Sequence, residues 1–325
     1  MKNLLTFVAL ISILFSCNTN QKSSTTDNPN KENSALNTII NSETVGKHIT
    51  KLSADDMEGR KSGTKGIEKA AQYIENEYKR IGLTYYKNLN NFRQNFSQKG
   101  LDLFNIVGIL EGKSKKDEYV VISGHYDHLG VISNGNGDTI YNGADDDASG
   151  ISAVITLAEY FKKTGSNERT IIFVAFTGEE MGLLGSNYFG KNINASKYIA
   201  GINIEMIGKE SKFGPKTAWL TGFNRSTFGK IVQKNLKGSG YKLYPDPYKR
   251  LQLFFRSDNA SLAELGIPAH TFSTGPIDND PHYHKVTDEV STLNMETITE
   301  TVRAIAIGTQ SIIDGTDTPS RVVIR

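Results

Sequence analysis

Three short apolar runs in this chain each end beside residue types that bind metals, and that pattern limits the fold more than any other feature. Residues 119–123 lead to His125, residues 170–176 lead to Glu179 and Glu180, and residues 200–204 lead to Glu205. Such runs, bounded by glycine and polar residues, read as buried strands. Helical spacing fills the intervals, so the expected fold is α/β, a single domain with a mostly parallel, helix-covered central sheet. Open sheets of this kind bind ligands just outside the carboxyl ends of their strands. Two more clusters, Asp145-Asp146-Asp147 and His284, add donors that one sheet edge can gather.

The rest of the chain fits that alternation. Thr64 is the expected N-cap of a helix running to Ile81, with Gly82 as its stop. Ile67, Ala70, Ala71, Ile74, Tyr78 and Ile81 share one face of it. Another strand is expected over 104–110, and helices over 148–161, after Gly182, over 226–237 and over 257–265. The 200–204 run reads on as a strand to 207, a strand over 269–273 follows the 257–265 helix, and residues 295–313 form the closing helix. The catalytic domain spans 37–315, with no inserted second domain, and residues 316–325 read as a tail.

Composition removes several classes of function. The chain has 325 residues, enough for a sizeable core, and a net charge of +2 with no long basic block, which argues against nucleic-acid binding. Its single cysteine excludes an intramolecular disulfide framework and a cysteine-rich zinc site. That cysteine has another reading. Met1-Lys2-Asn3 followed by an apolar stretch over 4–15 has the layout of a signal peptide, here residues 1–16. Leu14-Phe15-Ser16-Cys17 resembles the bacterial lipobox, which implies an acylated Cys17 and anchoring in the bacterial cell envelope, on the periplasmic or outer face. The alternative is an ordinary signal peptide with an incidental cysteine. Residues 17–36 are polar and lack aromatic residues, the composition of a flexible tether.

Zinc takes histidine nitrogen and carboxylate oxygen at about 2.0–2.2 Å, and a catalytic site keeps one position open. A two-metal site needs one shared carboxylate and further ligands on each side. The histidines and carboxylates supply that number. Asp146 or Asp147 can replace Asp145 as the shared group, and His282 competes with His284. His128 reads as a structural or rim residue, because adding it overfills the site.

Five blocks together resemble the co-catalytic zinc aminopeptidases, the family of aminopeptidase Y and glutamate carboxypeptidase II. They are Gly124-His125-Tyr126-Asp127-His128-Leu129-Gly130, residues 142–150 around the aspartates, residues 178–186 around Glu179-Glu180, Asn203-Ile204-Glu205-Met206, and His284 with Asp288. Residues 52–66, with Glu58-Gly59-Arg60, resemble the family's lead-in segment. The resemblance covers roughly residues 45–313 and implies two zinc ions per chain. It implies that His125 and Glu205 hold one, that Glu180 and His284 hold the other, and that Asp145 bridges. Glu179 becomes the general base and Asp127 the partner that orients His125. A cis peptide between Asp145 and Asp146 is also implied. The chain departs from the pattern at Glu205, where several members carry Asp, and at Asn259, where the family segment usually carries His. Tyr248 and Arg256 receive no role.

The implied activity is hydrolysis of peptide bonds, releasing N-terminal residues from a peptide or protein substrate. One rival is a glutaminyl-peptide cyclase on the same fold; another is a surface lipoprotein that binds peptides without catalysis. A related amidohydrolase family inserts a lid domain between its fourth and fifth ligands, and the Glu205–His284 interval is too short for one.

Overall fold

A computed structural model describes residues 29–133, 135 and 137–324. The signal peptide and Cys17 lie outside the described residues. The expected tether overlaps the first helix, α1 (Pro29–Ile39).

Among the described residues, nine strands make one mixed sheet. At its centre, β7 (Arg169–Phe176), β4 (Lys115–His125), β8 (Tyr198–Ile204) and β11 (Ala269–Ser273) run parallel in that order. Both faces are covered, so these strands are near-continuous apolar runs; every residue of β7 is buried. On one flank β3 (Leu101–Leu110) pairs antiparallel with β7 and carries β1 (Thr84–Tyr85) and β2 (Arg93–Gln98). On the other, β9 (Thr217–Leu220) is antiparallel to β11 and parallel to β10 (Lys242–Pro245). The sheet is therefore parallel in its middle and antiparallel at its flanks. A small separate hairpin joins β5 (Gly130–Val131) to β6 (Ile140–Tyr141).

The helices follow from their patterns. In α2 (Ser42–Leu52), Val45, His48, Ile49 and Leu52 make one buried face, and Asn41 caps the helix by accepting from Thr44 N at 2.9 Å. Helix α3 (Lys65–Ile81) ends at Gly82 in the left-handed conformation, φ 80, as a helix-terminating glycine does. Next come α4 (Gly150–Thr164), α5 (Leu184–Lys191), α6 (Phe228–Asn235), α7 (Asn259–Ala263) and α8 (Met295–Ile313). Helix α4, apolar nearly all round, is buried along most of its length because it packs on the sheet beneath α2 and α8.

The tail is no loose end. Val322 is buried, its N–H donates to Gly266 O at 3.1 Å, and the Arg225 guanidinium donates to the carbonyls of Val323 and Ile324. Among the described residues no helix is long and apolar enough to cross a membrane.

Candidate metal centre

The register brings the donors to one edge. His125 is the last residue of β4 and pairs with Phe176, the last of β7. Glu205 follows the end of β8, and its N–H donates to Phe272 O of β11 at 3.1 Å. Glu179 and Glu180 lie in the turn after β7, opened by Gly178 at φ 68. His284 reaches in from the loop before α8 at φ 55, its ring stacked on Tyr283 with centroids 4.0 Å apart.

The three aspartates between β6 and α4 point three ways. Asp288 sets their phase: its carboxylate accepts the N–H groups of Asp145 at 3.0 Å and Asp146 at 3.0 Å. Asp145 turns aside, and its Oδ1 accepts Gly208 N at 2.7 Å. Asp147 binds backbone, taking His125 N at 3.2 Å and Gly150 N at 2.9 Å. Asp146 alone enters the cluster, with Oδ1 3.1 Å from His125 Nε2 and Oδ2 3.2 Å from His284 Nε2. The shared position assigned to Asp145 thus falls to Asp146, and the cis peptide joins Asp146 to Asp147 rather than Asp145 to Asp146. Gly143 precedes this turn at φ 55, and a Cβ there would lie 2.6 Å from the His128 ring.

The remaining donors close around Asp146. Glu180 Oε2 lies 3.2 Å from His284 Nε2, and His128 Nδ1 donates to Glu180 Oε1 at 3.0 Å. His128 is fully buried, not a rim residue, and donor atoms of His128, Asp146 and Glu180 fall within 4.8 Å of one another. Its position in His125-Tyr126-Asp127-His128 was the available signal. His282 stays outside, bonded to Thr287 Oγ1 at 3.0 Å. Asp127 does touch the second ring nitrogen of His125, through its main chain. His125 Nδ1 donates to its main-chain carbonyl at 3.0 Å, while its carboxylate accepts Glu179 N at 3.1 Å and so holds the turn carrying that glutamate.

The electrostatics call for a cation. Burial raises the Glu179 carboxyl well above its ordinary range, and Glu205, Asp258 and Glu180 add to the rise. Burial likewise pushes Glu205 to about 7 and Asp258 to about 7. Burial acts on Asp146 as well, but His125 and His284 outweigh it and hold that carboxyl well below its ordinary value. His125 Nε2, His128 Nε2 and Glu205 Oε2 are buried without a hydrogen-bond partner. Buried orphan donors and acceptors amid crowded carboxylates are costly unless a metal satisfies them. The residues present fit zinc.

Beside the cluster lies a cavity of about 460 Å³. Met206, Trp219, Leu253, Phe255, Ile277 and Tyr283 give it apolar walls, and Asp146, Glu179, Glu180 and Glu205 line its charged side.

The model of "Peptidase family M28" matches residues 105–307. A probable zinc metalloprotease of Pyricularia oryzae is 38% identical over 109 residues, covering 33% of this chain and 21% of that protein. Aminopeptidase YwaD of Bacillus subtilis is 26% identical over 199 residues, covering 59% of this chain and 41% of that protein. The chain thus spans less than half the length of either relative. Among solved structures, the LapA aminopeptidase of Legionella pneumophila superposes with a TM-score of 0.70 at 21% identity, over 88% of this chain and 75% of that one. At that identity the likeness establishes the fold.

Proposed function

We propose, from the premise that the chain belongs to peptidase family M28, that it is a zinc-dependent aminopeptidase releasing N-terminal residues. One observation carries this reading: Asp146 presents one oxygen toward His125 and the other toward His284. That is the disposition of a carboxylate shared between two ions. His125 and Glu205 would hold one, Glu180 and His284 the other. When bound, zinc polarises a carbonyl and brings the pKa of water down to about 7.

The chain's own residues do the rest. The Glu179 carboxylate takes the proton from the attacking water and returns it to the leaving amine nitrogen. Asp127 fixes the Glu179 backbone, so the carboxylate meets the water in one position. The side chain of the first residue lies against Trp219, Phe255 and Ile277 in the cavity. A free terminal amine could be held at the ion of Glu180 and His284, which an N-acylated terminus could not match, so an unblocked N-terminus would be selected.

The test is turnover of a peptide library by purified protein, with and without chelator. Loss of free N-terminal residues from unblocked peptides, abolished by chelation, is the expected result. Equal cleavage of N-acetylated peptides refutes the aminopeptidase assignment. Ammonia release from glutaminyl peptides without hydrolysis makes the protein a cyclase, and binding without turnover makes it a peptide-binding protein. Elemental analysis is expected to give two zinc ions per chain; one ion with full activity refutes the shared carboxylate.

The lipobox resemblance supports a location in the cell envelope, held by acyl chains on Cys17. Two or more chains anchor firmly where one does so marginally. Cys17→Ala should move the protein from the membrane fraction to the soluble one, and an unchanged distribution on fractionation refutes the anchor.

A further inference from the structure

Residues 58–60 form a turn that this chemistry leaves unused. Glu58, Gly59 and Arg60 all lie in the left-handed region, with φ of 50, 62 and 47. Residues with side chains hold that conformation only where their surroundings impose it. The turn is pressed against β5, since a Cβ on Gly59 would sit 2.3 Å from Gly130 O.

The turn aims Arg60 inward, where it is 1% exposed. Its five hydrogen bonds all end on main-chain carbonyls. Nε donates to Tyr126 O at 3.0 Å; Nη1 donates to Leu52 O at 2.7 Å and Asn142 O at 2.6 Å. Nη2 donates to Gly143 O at 2.9 Å and Asp146 O at 3.4 Å. In return, the Arg60 carbonyl accepts His128 N at 3.2 Å. Tyr126 lies between His125 and Asp127, while Asn142, Gly143 and Asp146 belong to the aspartate turn. One guanidinium therefore joins the two loops that carry His125 and Asp146. The charges facing it are Asp146, Asp288, Asp147 and Asp127.

Burying a cation on carbonyls alone is expensive, and an apolar filler would be cheaper. What a guanidinium adds is a rigid planar fork of five donors, which an ammonium lacks. It also sets a fixed positive charge behind a crowd of carboxylates. We infer that Arg60 is a positioning residue of the metal centre, locking the 125–128 and 142–147 loops together so that His125 and Asp146 meet as ligands. The inference rests on the zinc reading above.

The experiment compares Arg60→Lys with Arg169→Lys in the purified protein. Arg169 is equally buried, but it bonds Glu118, Ile312 O and Asp317 O, away from the metal centre. Zinc affinity is measured by competition with a chelator, coordination by the visible spectrum of cobalt-loaded protein, and stability by thermal unfolding. Arg60→Lys should lose about 10–100-fold in zinc affinity, as changes behind metal ligands do, with an altered cobalt spectrum. Arg169→Lys should melt lower with native affinity and spectrum. Native affinity and spectrum in Arg60→Lys overturn the inference; so does an equal affinity loss in Arg169→Lys, which makes the effect one of stability. If Arg60→Lys does not fold, Arg60→Gln replaces it, and failure of both to fold assigns the arginine to the fold at large and refutes a specific role. Absence of zinc binding by the unaltered protein instead refutes the metal reading itself.

Discussion

At the scale of single residues, three neighbours of identical chemistry do three separate jobs, and only their surroundings tell them apart. Asp145 faces Gly208, Asp146 the metal centre, and Asp147 the backbone of His125. Asp146→Asn should therefore remove tight zinc binding. Asp145→Asn keeps an acceptor for Gly208 N and should cost about 1 kcal/mol of stability with zinc retained. Metal content after dialysis decides the matter, and the reverse outcome would restore Asp145 as the shared group. Glu179→Gln should keep its metal and lose about 10²–10⁴ in rate; unchanged turnover in metal-loaded variant protein would remove Glu179 from the chemistry. The residue types that gather at the sheet edge, and their order along the chain, were legible in the sequence. The choice among the aspartates was not, because it depends on Asp288, which accepts their N–H groups from 143 and 142 residues further along the chain. His128 was flagged by its place beside His125, but counting ligands says nothing about which rings pack inward.

At the scale of elements, legibility followed burial. The parallel strands announce themselves because both faces are covered, and the closing helix falls on 295–313 as its apolar spacing predicts. Among the flanking strands β3 was foreseen, over 104–110, while β1, β2, β9 and β10 were not. β2 carries Arg93, Gln94, Asn95 and Gln98, and its place is set by pairing with β3 rather than by its own pattern. Helix α2 was overlooked although Asn41 and the buried 45, 48, 49, 52 face were both in the sequence. The docked tail was beyond reach, since its anchors are long-range bonds from Arg169 to Asp317 O and from Arg225 to Val323 O. Deleting residues 316–325 removes these and uncovers Val322's pocket. We expect a loss of about 2–4 kcal/mol by denaturant unfolding; an unchanged midpoint would show that the docking contributes nothing.

At the scale of the whole molecule, two buried imidazoles outside the ligand cluster make stability depend on pH. Burial lowers His48 to about 4 and His270 to about 4. His270 donates and accepts within the core, to Thr221 O and Ser226 Oγ, both at 2.8 Å. Between pH 6.5 and 4 these two imidazoles bind more protons in the unfolded chain than in the folded one, so their contribution to stability falls as pH falls through that window. His270→Gln will lose its hydrogen-bond geometry and be less stable at pH 7. The difference from the unaltered protein should shrink toward pH 5, because the variant has no imidazole to protonate there. A gap that stays constant with pH, measured by denaturant unfolding, would show that His270 is not the source.

The bonds from Asp288 to Asp145 and Asp146 carry a last consequence, in time. A ribosome making about 5–20 residues per second delivers the three aspartates many seconds before it delivers their acceptor. His284 and Asp288 leave the ribosome together, Asp288 following Asp146 by 142 residues. Until then Asp146 has no carboxylate to hold its backbone and no second imidazole opposite it. A nascent or prematurely terminated chain therefore carries most of the donors without the centre they form.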